Sequence, residues 1–249
     1  MILVETEMIL HLELDTNDVL SFLVASLAHD FKHPGQTNSY HLNKQTELAL
    51  LYNDRSILEN YHVSETFKVL SDSNNNIFSN FGKSEVKLMR KRIIDMILAT
   101  DMSSHTKQYT SLKLKLEVQN MEKNGASIFF KEVETPSAKF DAQQEILNYT
   151  LHAADLGHNA KPFKMTRKWT ELIMNEFWDQ GDLEKKEGLP VSFNCDRVDA
   201  NVPKGQIGFI SGIIIPTFQL LVDMFPQLEY FVINAQKNVE EWNKVLASS

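Results

Sequence analysis

A single cysteine, Cys195, stands among the 249 residues, so no internal disulfide can form and the chain carries no sign of an oxidising compartment. Positive charge is also scarce. The formal charge of −8 opposes binding along a polyanion, because a nucleic-acid surface needs a basic stripe that releases counterions. The one dense basic cluster, KLMRKR at Lys87–Arg92, reads as the solvated face of a helix. The start, MILVETEMIL, has no basic leader, and Glu5 and Glu7 interrupt its apolar run, which argues against a signal peptide. Long apolar runs are missing too. The longest stretch, from Ile207 to Phe225, contains Pro216, two glycines and Asp223, and falls short of the roughly 20 apolar residues of a membrane span. A buried core helix is the expectation there, and an intracellular, cytoplasmic location for the chain.

Strand-like alternation is nearly absent. Only SIFFKEV, Ser127–Val133, invites consideration as a strand. What is present is helical periodicity, in a composition (43% hydrophobic, 23% charged) ordinary for a globular protein. Leu20, Leu23, Val24 and Leu27 recur at helical spacing behind an N-cap supplied by Asp15, Thr16 or Asn17, which predicts a core-facing stripe. The same period runs through ELALLYN, RKRIIDMILAT, QQEILNYTLHAADL and WTELIMNEFWDQ, and from Val232 towards Leu246. HPGQTN, SDSNNN, NGAS, TPSAKF and KEGLP punctuate these segments, and none is long enough for an interdomain linker. One all-α domain over residues 1–249 is the expected architecture.

Two places run an apolar helix into histidine and aspartate. LAHDFKHPGQTN holds His29, Asp30 and His33; if the helix persists, His29 and His33 at i, i+4 face one cavity. YTLHAADLGHNAKPF holds His152, Asp155 and His158, with Asp155 among Ala153, Ala154 and Leu156. Each alone reads as well as a polar helix end or a cap for the next helix. Together they form a nitrogen and carboxylate set that suits zinc and related ions, with carboxylate and water suiting magnesium or manganese. A carboxylate shared between two ions would favour phosphoester hydrolysis.

Six blocks in order then carry a resemblance: HDFKHPGQTN, ELALLYNDRSILENYH, IIDMILATDMSSH, LHAADLGHNAKPF, RKWTELIMNEFWDQGD and GQIGFISGIIIP. From about Leu20 to the C-terminus the chain resembles the catalytic domain of class I cyclic nucleotide phosphodiesterases, within the HD-type metal-dependent phosphohydrolases. The resemblance implies a compact bundle of helices around a deep pocket with two divalent ions, zinc and magnesium (or manganese), at its floor. It implies His29, Asp30 and Asp155 as ligands, Asp30 bridging both ions. His33, Asn38, Glu59, His62, Thr100 and Asp101 match groups that orient the ligands or the waters around the ions. Gln206 matches the glutamine that reads the purine edge, Phe209 the ring on which the base stacks, and Ile173 with Phe177 the opposing wall; by composition those three apolar residues read equally as core. The implied reaction opens cAMP or cGMP to the 5′-nucleotide, in cyclic-nucleotide signalling.

The chain departs from the family pattern in three places. It contains no HNxxHA block, which in the family supplies the general-acid histidine and one more metal ligand; His11, in ILHLELD, is the only histidine ahead of His29. The expectation is an N-terminally incomplete domain that hydrolyses cyclic nucleotide poorly by itself, with a non-catalytic nucleotide-binding or partner-binding relative as the alternative. Lys32 stands where aspartate is common, and His158–Asn159 replaces Asn-Pro.

Overall fold

The computed structural model describes residue 2 and residues 7–118 and 135–248. Among these residues every regular element is helical and no strand occurs. SIFFKEV and NGAS lie outside the described residues. In chain order the α-helices are α1 (Met8–His11), α2 (Thr16–Ala28), α3 (Asn38–Lys44), α4 (Glu47–Leu51), α5 (Ile57–Leu70), α6 (Lys83–Leu98), α7 (His105–Val118), α8 (Pro136–Asp155), α9 (Phe163–Glu187), α10 (Val202–Phe209), α11 (Ile215–Met224) and α12 (Glu229–Ser248).

Backbone contacts group the chain into two compact units. The first comprises residues 1–32, 59–155 and 220–228, and α2, α6 and α8 pack together within it. Its core is Met89, Ile93, Met96 and Ile97 of α6 against Phe22 and Ala25 of α2 and Ile146, Leu147 and Tyr149 of α8. The second comprises residues 33–58, 156–219 and 229–249, where α12 packs on α9 and α10. Phe218 and Phe231 stack there at 4.8 Å, and Asn238, buried on α12, donates to the carbonyls of Asn159 and Lys161.

Asp15 is the N-cap of α2: it accepts from the Asp18 amide, and Asp18 returns the bond to the Asp15 amide. The helix turns the other way from its expected stripe. Ser21, Phe22, Ala25 and Ala28 are buried, whereas Leu23 and Leu27 are exposed, Leu27 at 88%. From Val19 onward the helix is mostly apolar all round, which gives periodicity little to choose between; the face that packs on α6 carries Phe22 among small residues. TPSAKF is likewise not a connection: α8 starts at Pro136, whose missing N–H is spared at the first helical position, with Thr135 Oγ1 accepting from the Ala138 amide.

The basic cluster is corrected at one residue. Arg92 is 2% exposed because it lies on the same face of α6 as Met89, Ile93 and Met96. Its guanidinium pairs with Asp18 at 2.5 Å, donates to Gln143 Oε1 at 2.5 Å and sits over the Phe140 ring at 4.0 Å. Lys91 pairs with Asp95 and Arg90 covers Phe67, so only part of KLMRKR is a solvated face. Arg92→Leu should cost about 3 kcal/mol, since it removes the partner of the half-buried Asp18 carboxylate and the buried bond to Gln143; a denaturation midpoint equal to the wild type would refute that role.

In the second unit, Glu184 is fully buried yet satisfied, accepting from the Ser192 amide (2.8 Å), the Ser192 hydroxyl (2.6 Å) and Gln180 Nε2 (2.9 Å). Gln180 in turn accepts from the Thr37 amide at 2.7 Å, which orders the HPGQTN loop. The loop after α9 passes so close that a Cβ on Gly181 would lie 1.8 Å from the Cys195 carbonyl oxygen. Burial pushes the Cys195 thiol up to about 11, so it packs as a neutral group.

The apolar stretch near the C-terminus forms one run of helix, Val202–Met224, which is long and apolar enough to cross a membrane by length and composition. That outcome exceeds the sequence expectation, because Pro216 and the glycines do not interrupt the helix. Ile210, Ile214, Phe218 and Leu221 nevertheless form a fully buried face along it, as a core helix requires.

Candidate functional site

The candidate metal ligands come from two chain segments of the first unit, residues 1–32 and 59–155. His29 is the C-cap of α2, and Asp30 follows in the turn that ends the helix. Asp155 is the last residue of α8. One ligand atom from each of His29, Asp30 and Asp155 lies within 4.8 Å of the others, the one such metal-competent group among the described residues. His29 Nε2 is 3.1 Å from Asp155 Oδ1 and 3.5 Å from Asp30 Oδ2.

The histidine is oriented for coordination. Its Nδ1–H donates to the Ser26 carbonyl at 2.9 Å, which leaves Nε2 to face the two carboxylates. In the metal-free protein a proton on Nε2 takes the place of a cation: the hydrogen bond to Asp155 raises His29 to about 9, against the opposing effect of burial. A divalent ion must displace that proton. Affinity for Mn²⁺ should therefore rise by up to about tenfold per pH unit until roughly pH 9, as isothermal titration at several pH values would show; a flat profile would contradict this ligand assignment. The folding contribution has the opposite sense. A raised pKa stabilises the metal-free fold fully below about 6.5, and this is lost as pH climbs through about 9.

Asp30 presents its two oxygens in two directions. Oδ2 meets His29, and Oδ1 lies 3.8 Å from Nε2 of His62 on α5. The His62 ring is buried, and its Nδ1–H donates to the Phe31 carbonyl at 2.8 Å. Glu59 stands one turn earlier on α5, on the same face as His62. Thr100 and Asp101 are buried at the end of α6, where Asp101 Oδ1 accepts from the Ser103 amide and caps a short 3₁₀ turn, Met102–Ser104.

The helix does not persist to His33. It stops at Ala28, and Lys32 adopts a left-handed φ of 62°, so the i, i+4 alignment of His29 and His33 fails. His33 Nδ1 accepts from the Gly35 amide within its own turn. Asn38 is used as a cap: its Oδ1 accepts from the Leu58 amide at 2.9 Å at the start of α5, the helix that carries Glu59 and His62. Lys32 reaches Glu65 at 2.5 Å and so neutralises a carboxylate outside the ligand set. His11 lies beside Phe225, with ring centroids 6.3 Å apart, and is not part of the metal-competent group.

In the second unit Thr170, Ile173 and Phe177 share a face of α9, and Gln206 and Phe209 share a face of α10. The Thr170 hydroxyl, 3.4 Å from Gln206 Oε1, brings those two faces together. Ile173, Phe177, Gln206 and Phe209 are all only partly buried. A π-helical turn, Ile210–Ile214, follows Phe209 directly; such turns cluster at functional sites. His158 Nε2 accepts from the side-chain Nδ2 of Asn159, and its ring lies against Trp169.

Against known proteins, residues 1–235 match the family model described as 3′5′-cyclic nucleotide phosphodiesterase. The chain belongs to this family. The match starts at residue 1 rather than near Leu20 and stops at 235. A bovine (Bos taurus) protein named dual specificity calcium/calmodulin-dependent 3′,5′-cyclic nucleotide phosphodiesterase 1B is 40% identical over 208 residues, 83% of this chain and 35% of its own length. A Caenorhabditis elegans protein named probable 3′,5′-cyclic-AMP phosphodiesterase is 36% identical over 226 residues, 90% of this chain and 32% of its own. The chain thus spans about a third of these relatives. The crystal structure of the phosphodiesterase domain of a rhodopsin fusion protein from the choanoflagellate Salpingoeca rosetta superposes with a TM-score of 0.83 at 33% identity, over 94% of this chain and 71% of that one. Membership agrees with the all-α architecture and with the block order.

Two further histidines meet outside the metal-competent group: His152, which the sequence offered as part of the nitrogen and carboxylate set, and His105, to which it assigned no role. His152, fully buried, accepts or donates at Nε2 to Nδ1 of His105 at 2.9 Å, behind the Asp155 end of α8. The signal was available: His152 sits between Leu151 and Ala153, and His105 closes the ATDMSSH block.

Proposed function

We propose that this chain is the greater part of the catalytic domain of an enzyme that hydrolyses a 3′,5′-cyclic nucleotide, cAMP or cGMP, to the 5′-nucleotide. The observation that carries the reading is the convergence of His29 Nε2 with the carboxylates of Asp30 and Asp155 in a family member. When bound there, divalent ions would lower the pKa of a water and polarise the phosphoester.

The residues divide the remaining work. His29 supplies the nitrogen ligand, held in the right tautomer by Ser26; with Asp30 and Asp155 it suits zinc, while the Asp30 oxygen that faces His62 suits magnesium or manganese. His62, Glu59, Thr100 and Asp101 orient Asp30 and the polar groups around it. Gln206 offers an amide to the base edge, with Phe209 on one side of the ring and Ile173 and Phe177 on the other. An amide can present its donor and acceptor in either order, which matches relatives named for cyclic AMP and for dual specificity.

The test is a hydrolysis assay with cAMP and cGMP in the presence of Zn²⁺ and Mg²⁺ or Mn²⁺, on this chain alone and joined to a segment that bears an HNxxHA motif. Release of 5′-nucleotide by the joined protein, abolished by Asp155→Asn, is expected. Nucleotide binding without any hydrolysis in the joined protein would instead favour the non-catalytic relative.

A further inference from the structure

We propose that His152 and His105 form a positioning pair that holds the metal-binding carboxylate of Asp155 in place. The inference rests on the metal-centre reading above and goes beyond it by assigning a role to two residues outside the ligand set.

Asp155 needs such support. It is the last residue of α8, where the chain passes into a 3₁₀ turn at Leu156, and its side chain is 32% exposed. Helix ends lack half of their backbone hydrogen bonds and fray. His152 lies one turn back on the same helix face and is fully buried, with His105 8% exposed beside it. Their nitrogens meet at 2.9 Å, and the rings lie 5.2 Å apart at 41°. His105 opens α7, three residues after Met102 and four after Asp101, and His152 also lies close to the backbone of Thr100 without full hydrogen-bond geometry. The pair therefore ties α8 to both ends of the segment that presents Asp101.

Burying two imidazoles costs free energy that an apolar pair of similar size would not. What the polar pair adds is direction, because a hydrogen bond fixes the register of two helices where dispersion contacts allow sliding. Burial keeps both rings neutral, with His152 lowered to about 4 by burial and then by its neighbour, so one ring donates and the other accepts.

The experiment measures Mn²⁺ affinity of the full 249-residue chain by isothermal titration, alongside the thermal midpoint, for H152Q and H152F. Glutamine can keep an acceptor for His105, whereas phenylalanine keeps a ring without one. A merely structural role would lower the midpoint of both variants and leave affinity alone. The positioning role predicts affinity about 10–100-fold weaker in H152F and near wild type in H152Q, the range seen for groups that orient ligands. Folded H152F with wild-type affinity overturns the proposal, as does equal loss in both variants. Should H152F not fold, H105N and H105L repeat the comparison: weaker affinity in H105L alone supports the pair, and equal affinities overturn it. A wild-type chain that takes up no Mn²⁺ would sink the metal reading and this inference together, which the first titration decides.

Discussion

Asp30→Asn should abolish high-affinity metal binding in a chain that remains folded. Asp30 is the one member of the ligand set that faces both ways, with Oδ2 towards His29 at 3.5 Å and Oδ1 towards His62 at 3.8 Å. Removing its charge leaves the His29–Asp155 pair with one carboxylate, and removes the bridge on which a second ion would depend. Loss of a direct ligand should weaken Mn²⁺ binding by at least about 100-fold, beyond what loss of an orienting neighbour costs. Stability should hardly move, because the Asp30 side chain is 60% exposed and exposed substitutions lie within about 0.5 kcal/mol. Titration of folded D30N with Mn²⁺ checks both halves. A variant that retains one ion at full affinity would show that Asp30 does not bridge, and one that retains two would overturn the site.

Gly181→Ala is the second large effect, and local propensity points the wrong way for it. Inside a helix, alanine is favoured over glycine by about 1 kcal/mol, so α9 taken by itself should gain. The loop that crosses α9 reverses the sign. A Cβ at residue 181 would lie 1.8 Å from the Cys195 oxygen and 2.7 Å from its carbonyl carbon. Those are backbone atoms, so no rotamer relieves the clash. The loop is also tethered on either side of Cys195, by Ser192 to buried Glu184 and by Asp196 to Lys185 at 2.8 Å. The expected cost is about 3 kcal/mol or more, a fall in melting temperature of roughly 6–12 °C for a chain of this size. A midpoint unchanged or raised would mean that the loop yields freely.

Helix existence was largely legible because it is a local property. WTELIMNEFWDQ falls inside α9, and RKRIIDMILAT and QQEILNYTLHAADL run to the ends of α6 and α8, overshooting them by two residues and one, where apolar spacing and good helix formers agree. Which way a helix faces was less legible. The stripe Leu20, Leu23, Val24, Leu27 looked like core, yet α2 buries Ser21, Phe22, Ala25 and Ala28, because the side that meets α6 is set by the tertiary packing and the helix is apolar on both sides. Arg92 shows the same limit from the other side: a charge in a basic run became a buried anchor because Asp18, Gln143 and Phe140 come to meet it from other helices.

For the site, the two His/Asp blocks supplied a candidate set of nitrogens and carboxylates, because metal ligation demands particular atoms and those atoms are written in the sequence; the resemblance to the family narrowed that set to His29, Asp30 and Asp155. Family block order likewise pointed to Gln206, Phe209, Ile173 and Phe177 as the proposed nucleotide-reading residues, again by identity alone. Only the tertiary structure decided how these residues act. It ended α2 at Ala28, so that His29 turns towards Asp155, 126 residues away, while His33 caps its own turn. It made Asn38 a helix cap and Lys32 a partner of Glu65, and it joined His105 to His152 behind the ligands. Ligand chemistry belongs to single side chains and survives as text, whereas orientation depends on contacts between segments far apart in the chain, which no local pattern encodes.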